Sequence, residues 1–129
     1  MSTLGHPLSD LANLLMPWTI TAATDEKRRN SRPEFHPAAK YPGLPNRDQC
    51  VDWYREVSGY DPRSELPWGV AFSMFRDAVI FQGIAARYAS RQASSATAKE
   101  VGKEMEPVAA ITWQLIEDAK VQMPAKSHL

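Results

Sequence analysis

The sequence predicts an all-α fold, and three observations support this prediction. Apolar residues recur every three or four positions over long stretches, which is the spacing of one helix face. Good helix-start residues precede several of these stretches, and no pair of segments shows the alternation of half-buried strands. We expect two long antiparallel helices, two shorter helices packed against them, and one long irregular loop.

The first predicted helix is short and amphipathic. Its apolar stripe consists of Leu8, Leu11, Ala12 and Leu15. Pro7 lies near its first position, where the missing amide hydrogen is tolerated, and Pro17 is expected to end it. Residues 19–45 carry several prolines and a charged run without a sustained period, so we predict an irregular loop there.

A second short helix is predicted to begin after Asn46 and to end at Gly59. Asn46 is a good N-cap residue with Gln49 three positions later, and glycine is common just after a helix C-terminus. The segment between them is only half apolar.

The third predicted helix, from Pro67 to about Gln92, has the richest apolar pattern. One stripe consists of Val70, Met74, Ala78, Phe81, Ala85 and Tyr88, and it is widened by Ala71, Phe75 and Val79. The polar edge is narrow and consists of Ser73, Arg76, Gly83, Arg87 and Arg91. We therefore expect this helix to be buried over most of its circumference.

The last helix is predicted to begin at a T-x-x-E capping box formed by Thr97 and Glu100, after a tight turn. Its stripe consists of Val101, Met105, Val108, Thr112, Leu115 and Ala119. Pro107 lacks an amide hydrogen and crowds the preceding turn, so a kink or break is expected near Met105. The tail over 124–129 is predicted to be flexible.

Composition limits the classes of function. A chain of 129 residues has the length of one domain, so we predict a single helical domain over 1–129. Fifteen Lys plus Arg balance fifteen Asp plus Glu, which leaves no net field to attract nucleic acid. Arg76 and Asp77 interrupt the longest apolar stretch, which is short of the roughly 20 apolar residues of a membrane span. We expect a soluble protein that binds neither nucleic acid nor membrane.

Few residues carry a recognisable chemistry. Neither G-x-G-x-x-G nor G-x-x-x-x-G-K-[ST] occurs, so these phosphate-binding loops are absent from the sequence. The three histidines have no cysteine or carboxylate at metal-ligand spacing, and no metal site is predicted. Cys50 is interpreted as a small hydrophobic residue rather than a nucleophile. A carboxylate row on one helix face is interpreted as exposed like charges; it consists of Asp48, Asp52 and Glu56.

Arg76 and Asp77 are unusual, because charges in the middle of an apolar helix are expensive to bury unless they are paired. They either contact a polar group of another segment or line a pocket. Trp68 could stack on a ligand, although large aromatic residues at helical spacing usually belong to a core.

Two segments resemble the aminoglycoside-phosphotransferase-like (kinase-like) enzymes. Residues 5–12, GHPLSDLA, resemble the G-[DH]-P-x-x-D-L-A segment of that family. Residues 66–96 resemble the last helices of a branch that includes the kinase-like domains fused to some acyl-CoA dehydrogenases. The residues that carry this second match are Ala71, Phe72, Ser73, Phe75, Arg76, Ile80, Gln82, Gly83, Ile84, Ala93, Ser94 and Ser95.

The resemblance implies a bilobal fold that transfers phosphate from ATP, with magnesium, to a hydroxyl group. In this branch of the family, the hydroxyl would belong to a hydroxyacyl-CoA-type acceptor. Asp10 matches the aspartate that braces the family's catalytic loop, and His6 stands where aspartate is more usual. The catalytic loop and the N-lobe would precede Met1. We therefore expect this chain to bind no ATP, magnesium or other cofactor and to contain no catalytic residue.

The expected function is that of a substrate-side helical lobe, inactive as a kinase by itself, whose partner is a missing N-terminal lobe. An acyl or hydroxyl substrate groove is predicted to be bordered by Trp68, Phe72, Arg76 and Asp77. The alternative is a non-catalytic helical module that forms homo- or hetero-oligomers through its apolar surface. A small enzyme that uses Cys50, or the Asp48 and Asp52 pair, is a third hypothesis.

The last three residues, Ser127, His128 and Leu129, fit the small-basic-leucine tripeptide read by the peroxisomal import receptor. Fatty-acyl metabolism is also peroxisomal in many relatives of this family. We therefore expect a peroxisomal location, and a cytoplasmic one if the receptor does not bind the tripeptide.

Overall fold

The computed structural model describes residues 5–23, 32–37 and 41–122, and every regular element within these ranges is helical. The helices are α1 (Leu8–Leu14), α2 (Met16–Ala23), a 3-10 turn (Pro33–Phe35), α3 (Arg47–Ser58), α4 (Leu66–Ala89), α5 (Ala98–Gly102) and α6 (Met105–Gln122). The predicted all-α class is confirmed.

The two long helices, α4 and α6, lie at the centre of the fold and run antiparallel, as predicted. Gly102, just before α6, lies against Ala85 near the end of α4. Leu115, farther along α6, packs against the cluster that contains Leu66 at the start of α4. The residues before α6 thus contact the end of α4, and a later residue of α6 contacts the start of α4, so the two helices are antiparallel.

Two adjoining clusters form the core. The first joins α1, α3 and the start of α4, and it consists of Leu8, Leu11, Ala12, Leu15, Val51, Leu66 and Val70. The second joins α2, α4 and α6, and it consists of Met16, Met74, Val108 and Ile111. Leu115 packs against both clusters and connects them. Full burial of a side chain of this kind stabilises the fold by roughly 1.5–3 kcal/mol.

The ends of α3 are those that the sequence predicts. The Asn46 side chain accepts a hydrogen bond from the Gln49 amide at 2.8 Å, and the Gln49 side chain accepts one from the Asn46 amide at 2.9 Å. The helix ends at Gly59, whose φ of 73° lies in the left-handed region that glycine adopts without steric cost.

The first helix does end before Pro17, at Leu14, but a second helix follows it at once instead of an irregular loop. Pro17 lies in the first turn of α2, where a helix needs no amide hydrogen from it. The chain continues as a helix to Ala23, so the irregular loop predicted over 19–45 begins later than expected. The parts of that loop over 24–31 and 38–40, and the predicted tail over 124–129, lie outside the described residues.

The capping box predicted at Thr97 and Glu100 does not form. The Thr97 hydroxyl lies 2.9 Å from the Ser95 hydroxyl, and the Glu100 carboxylate pairs with Lys103 at 3.1 Å. The connection after α4 contains the short helix α5 instead of a tight turn followed by one long helix. The break predicted near Met105 is confirmed, because α5 ends at Gly102 and Met105 begins α6.

Helix α4 is not buried over most of its circumference, contrary to the prediction. Phe72 and Phe75 are 62% and 53% exposed, whereas Ser73, assigned to the polar edge, is buried. The helices that contact α4, which are α1, α2, α5 and α6, leave one of its faces uncovered.

By length and composition alone, α4 also meets the criterion for a membrane-crossing helix. Its best 18-residue window has a mean hydropathy of 1.2 despite Arg76 and Asp77, and 22% of that window is buried. Core helices of water-soluble proteins meet the same criterion, so this finding does not assign a membrane location.

Replacing the α3 N-cap tests the reciprocal capping box. Asn46→Ala removes the acceptor for the Gln49 amide, and we expect the free energy of unfolding to fall by about 1 kcal/mol. Thr97→Ala is the matched control, since Thr97 stands at a helix N-cap without capping it, and it should change stability by less than about 0.5 kcal/mol. Urea denaturation measures both values, and equal losses would contradict the structure.

Replacing glycine at the close approach of α5 to α4 tests their packing. A Cβ at Gly102 would lie 3.1 Å from Ala85 Cα, so Gly102→Ala should lower the unfolding free energy by about 1–3 kcal/mol. Gly83→Ala, within α4, would meet only the flexible end of Arg87 at 3.5 Å and should raise it by about 0.5–1 kcal/mol. Thermal melts measure both changes in stability. If both variants were stabilised, or both destabilised, the described packing would be contradicted.

Candidate functional site

An open groove lies where the start of α1 meets the first turns of α4, and it encloses about 380 Å³. Its walls are formed by His6, Leu8, Ser9, Glu65, Trp68, Gly69 and Phe72. An apolar surface with a few polar groups at one end is typical of a small-molecule site.

The local sequence explains why the groove forms. Trp68 and Phe72 are four residues apart, so they lie on the same face of α4. Gly69 between them allows α1 to approach closely, since a Cβ there would lie 3.3 Å from Leu8 Cβ and 3.7 Å from Ala12 Cβ. The groove is therefore a consequence of how tightly α1 packs onto α4.

Three side chains form a polar cluster at one end of the groove. His6 Nδ1 accepts a hydrogen bond from the Leu8 amide at 3.3 Å, so the imidazole occupies the place of an N-cap side chain for α1. His6 Nε2 lies 3.5 Å from Glu65 Oε2. The Tyr60 hydroxyl donates a hydrogen bond to the same carboxylate oxygen.

The electrostatics of this cluster centre on Glu65. The hydrogen bond to its carboxylate, with burial and charge repulsion as smaller causes, raises the pKa of Tyr60 to about 12. Tyr60 therefore stays protonated at neutral pH and acts as a hydrogen-bond donor. The His6 and Glu65 side chains are 58% and 41% exposed, so their pairing contributes at most about 1 kcal/mol to stability. The cluster is suited to hydrogen-bond the polar end of a ligand.

The structure brings together two of the four residues predicted to border a substrate groove. Trp68 and Phe72 line it, whereas Arg76 and Asp77 do not. Arg76 Nη2 instead donates to Asn13 Oδ1 at 2.7 Å and ties α4 to α1, which is the polar contact that the sequence left as one alternative. Asp77 is half-buried, and this burial raises the pKa of its carboxyl, while the nearby Arg76 acts in the opposite direction.

The remaining sequence candidates lie apart from the groove. Asp10 is exposed in the first turn of α1 and makes no hydrogen bond or ion pair within the described ranges, so its bracing role stays a prediction. Cys50 is half-buried beside the core, and burial raises the pKa of its thiol, as expected for a small hydrophobic residue. Asp52 pairs with Arg63. Ser127, His128 and Leu129 lie outside the described residues, and the import signal stays a prediction.

Within the part of the chain that the structure describes, no group of three or more His, Cys, Asp or Glu residues could hold a metal ion. A second cavity, of about 620 Å³, lies between α2, the 3-10 turn and the start of α3. Its aromatic wall includes Trp18 and Phe35, whose rings meet edge to face at 4.9 Å.

Sequence analysis missed the polar end of the groove. In the sequence, His6 stands out only by its place before Pro7, and no pattern marks Tyr60 or Glu65. The five-residue separation of Tyr60 and Glu65 indicates no contact by itself, because it depends on the turn that precedes α4. The one sequence signal for this cluster is a histidine directly before the proline that starts the first helix.

Comparison with known proteins shows that the chain is similar in sequence to a part of much longer proteins. The chain is homologous to a segment of acyl-CoA dehydrogenase family members. It is 31% identical over 113 residues to acyl-CoA dehydrogenase family member 10 of Mus musculus, and 31% identical over 136 residues to acyl-CoA dehydrogenase family member 11 of Rattus norvegicus.

These matches cover 88% and 100% of this chain but only 10% and 17% of the two relatives, so the chain spans a small part of their length. No protein-family profile matches the chain, and no solved structure gives a significant match.

The Tyr60–Glu65 hydrogen bond predicts a measurable titration. Glu65→Gln removes the negative charge, and the pKa of Tyr60 should fall from about 12 toward its ordinary value of 10. A raised pKa in the folded state means that stability is lost as the pH rises from about 10 to 12, so this loss should be smaller in the variant. Tyrosinate absorbance, with Tyr60→Phe subtracted to isolate one ring, measures the shift. An unchanged titration would contradict the contact.

Proposed function

We propose that this chain is the substrate-side helical lobe of a phosphotransferase-like protein, and that its groove holds the acyl chain of an acyl-CoA-type substrate. The groove of Leu8, Trp68 and Phe72, with a hydrogen-bonding cluster at one end, is the observation that carries the proposal. An acyl chain would lie against the apolar side chains, and a hydroxyl or carbonyl of the substrate would bond to the polar cluster.

Two lines of similarity support this proposal. Residues 5–12 and 66–96, whose resemblance to phosphotransferase-like enzymes was described above, supply the two walls of the groove. The homologous proteins are named as acyl-CoA dehydrogenase family members, which suggests an acyl-CoA-related role for this segment as well. Phosphoryl transfer itself would require nucleotide- and metal-binding groups that the sequence motifs of this chain do not supply.

A thermal-shift titration tests the proposal. A ligand that binds only the folded state raises its melting temperature, by an amount set by the ligand concentration relative to Kd. We expect a rise of several degrees with dodecanoyl-CoA kept below its micelle concentration, and none with free coenzyme A or magnesium-ATP.

Two variants give this titration a matched control. Phe72→Ala removes a groove wall and should abolish the shift, whereas Phe75→Ala removes a similarly exposed aromatic ring outside the groove and should preserve it. A shift with magnesium-ATP, or equal shifts in both variants, would overturn the proposal.

The second candidate function is a helical interaction module. The uncovered apolar face of α4 favours it, because exposed apolar patches on soluble proteins commonly mark interaction surfaces.

A further inference from the structure

One face of α4 carries a continuous row of exposed apolar side chains. Trp68, Phe72, Phe75 and Val79 follow each other at spacings of four, three and four residues, which places them on one side of a helix. They are 41%, 62%, 53% and 51% exposed. We call these four residues the α4 stripe.

Farther along α4, the same side of the helix carries much smaller residues. Gly83 follows Val79 by four positions, and Ala86 lies 18 residues after Trp68, which is a whole number of helical turns. The stripe is therefore bulky toward the N-terminus of α4 and shallow toward its C-terminus. Such a surface is complementary to itself when it is reversed.

We propose that the α4 stripe binds the α4 stripe of a second copy of this chain, with the two helices antiparallel about a two-fold axis between Phe75 and Val79. In this arrangement Trp68 of each copy covers Ala86 of the other, and Phe72 covers Gly83. Phe75 of each copy lies against Val79 of the other. The same patch serves both subunits, as a two-fold interface requires.

Charge along one edge of the stripe agrees with the antiparallel direction. Glu65, Arg76 and Arg87 are spaced eleven residues apart, close to three helical turns, so they lie on the same flank of α4. Reversal brings Glu65 of each copy level with Arg87 of the other, at both ends of the interface. A parallel pairing would put this flank of the two helices on opposite sides of the interface, where these charges could not pair.

The two Arg76 side chains would lie near the two-fold axis. Each guanidinium is directed toward its own α1 by the hydrogen bond to Asn13 Oδ1 at 2.7 Å, and both are exposed, so salt screens their repulsion. Two acidic side chains lie near this flank. Glu65 takes part in the pairing, and Asp77 directly follows Arg76 in the sequence, so it points to a different side of the helix.

The size of the surface indicates a weak dimer. Aromatic residues bury roughly 150–250 Å² each when covered, so the half-exposed stripe offers on the order of 300–400 Å² per subunit. This is less than the roughly 800 Å² per partner of standard interfaces, although residues on both flanks add to it. The dimer should therefore dissociate on dilution through the micromolar range. This inference does not rest on acyl-CoA binding, and because the dimer covers Trp68 and Phe72, which also line the groove, an acyl-CoA bound there would compete with it.

Sedimentation velocity of the full chain tests the dimer. Protein concentrations from about 1 μM to 1 mM are needed, because a small interface implies weak association. We expect a mass that rises from 14.4 kDa to twice that value and no further. A mass that stays monomeric at the highest concentration, or that grows past the dimer, overturns the proposal.

Disulfide trapping tests the direction of the helices. In a Cys50→Ser background, Trp68→Cys chains mixed with Ala86→Cys chains should form a mixed disulfide in an oxidising buffer. Either variant alone should not cross-link, because the two identical positions would be about 27 Å apart. Homodisulfides through position 68 or 86 would indicate parallel helices and contradict the proposal.

Two surface variants separate loss of the dimer from loss of the fold. Val79→Glu places a charge at the centre of the interface and should raise the dissociation constant at least about tenfold. Arg87→Glu should weaken the dimer as well, and less at high salt, whereas Arg91→Glu, beyond the end of α4, should leave it unchanged. Circular dichroism checks that each variant is folded, and equal effects of Arg87→Glu and Arg91→Glu would count against the assigned register.

Discussion

The fold depends on the burial of one side of α4. This helix has 24 residues and contributes to both core clusters, with Leu66 and Val70 in the first and Met74 in the second. Met74 in its first half is fully buried, and Ala71 and Val70 are nearly so. Within the described ranges, the helices packed on α4 are mostly short and leave the face with Phe72 and Phe75 exposed.

The parts of the fold that were predicted correctly are those set by local sequence. The ends of α3 follow from Asn46, Gln49 and Gly59, which act through hydrogen bonds and dihedral angles within a few residues of each other. The antiparallel pairing of α4 and α6 follows from two long stripes joined by a short connection. The break before α6 follows from Pro107, whose steric effect is also local.

The errors arose where tertiary context decides. Proline is compatible both with the end of one helix and with the first turn of the next, and Pro17 follows the end of α1 and also lies in the first turn of α2. Thr97 could cap its helix, but its hydroxyl bonds to Ser95 instead. Sequence periodicity identified apolar residues on α4 but could not tell which of them have a neighbour. The same limit applies to the site, where Trp68 and Phe72 were identified but their polar neighbours were not.

Homology relates this segment to two much longer proteins, and the groove offers a specific place to look for its contribution to them. The groove is made by the two segments that carried the family resemblance, one at each wall. Leu8 comes from one segment and Trp68 from the other, so the described residues are sufficient to form the groove.

The position of His6 has a consequence for how this protein can change during evolution. One ring nitrogen satisfies the first turn of α1, and the other faces the carboxylate at the mouth of the groove. Selection for a firmer helix start favours aspartate, serine or asparagine at this position, yet each would remove the imidazole from the groove. A substitution at position 6 therefore changes the start of α1 and the polar cluster at the same time.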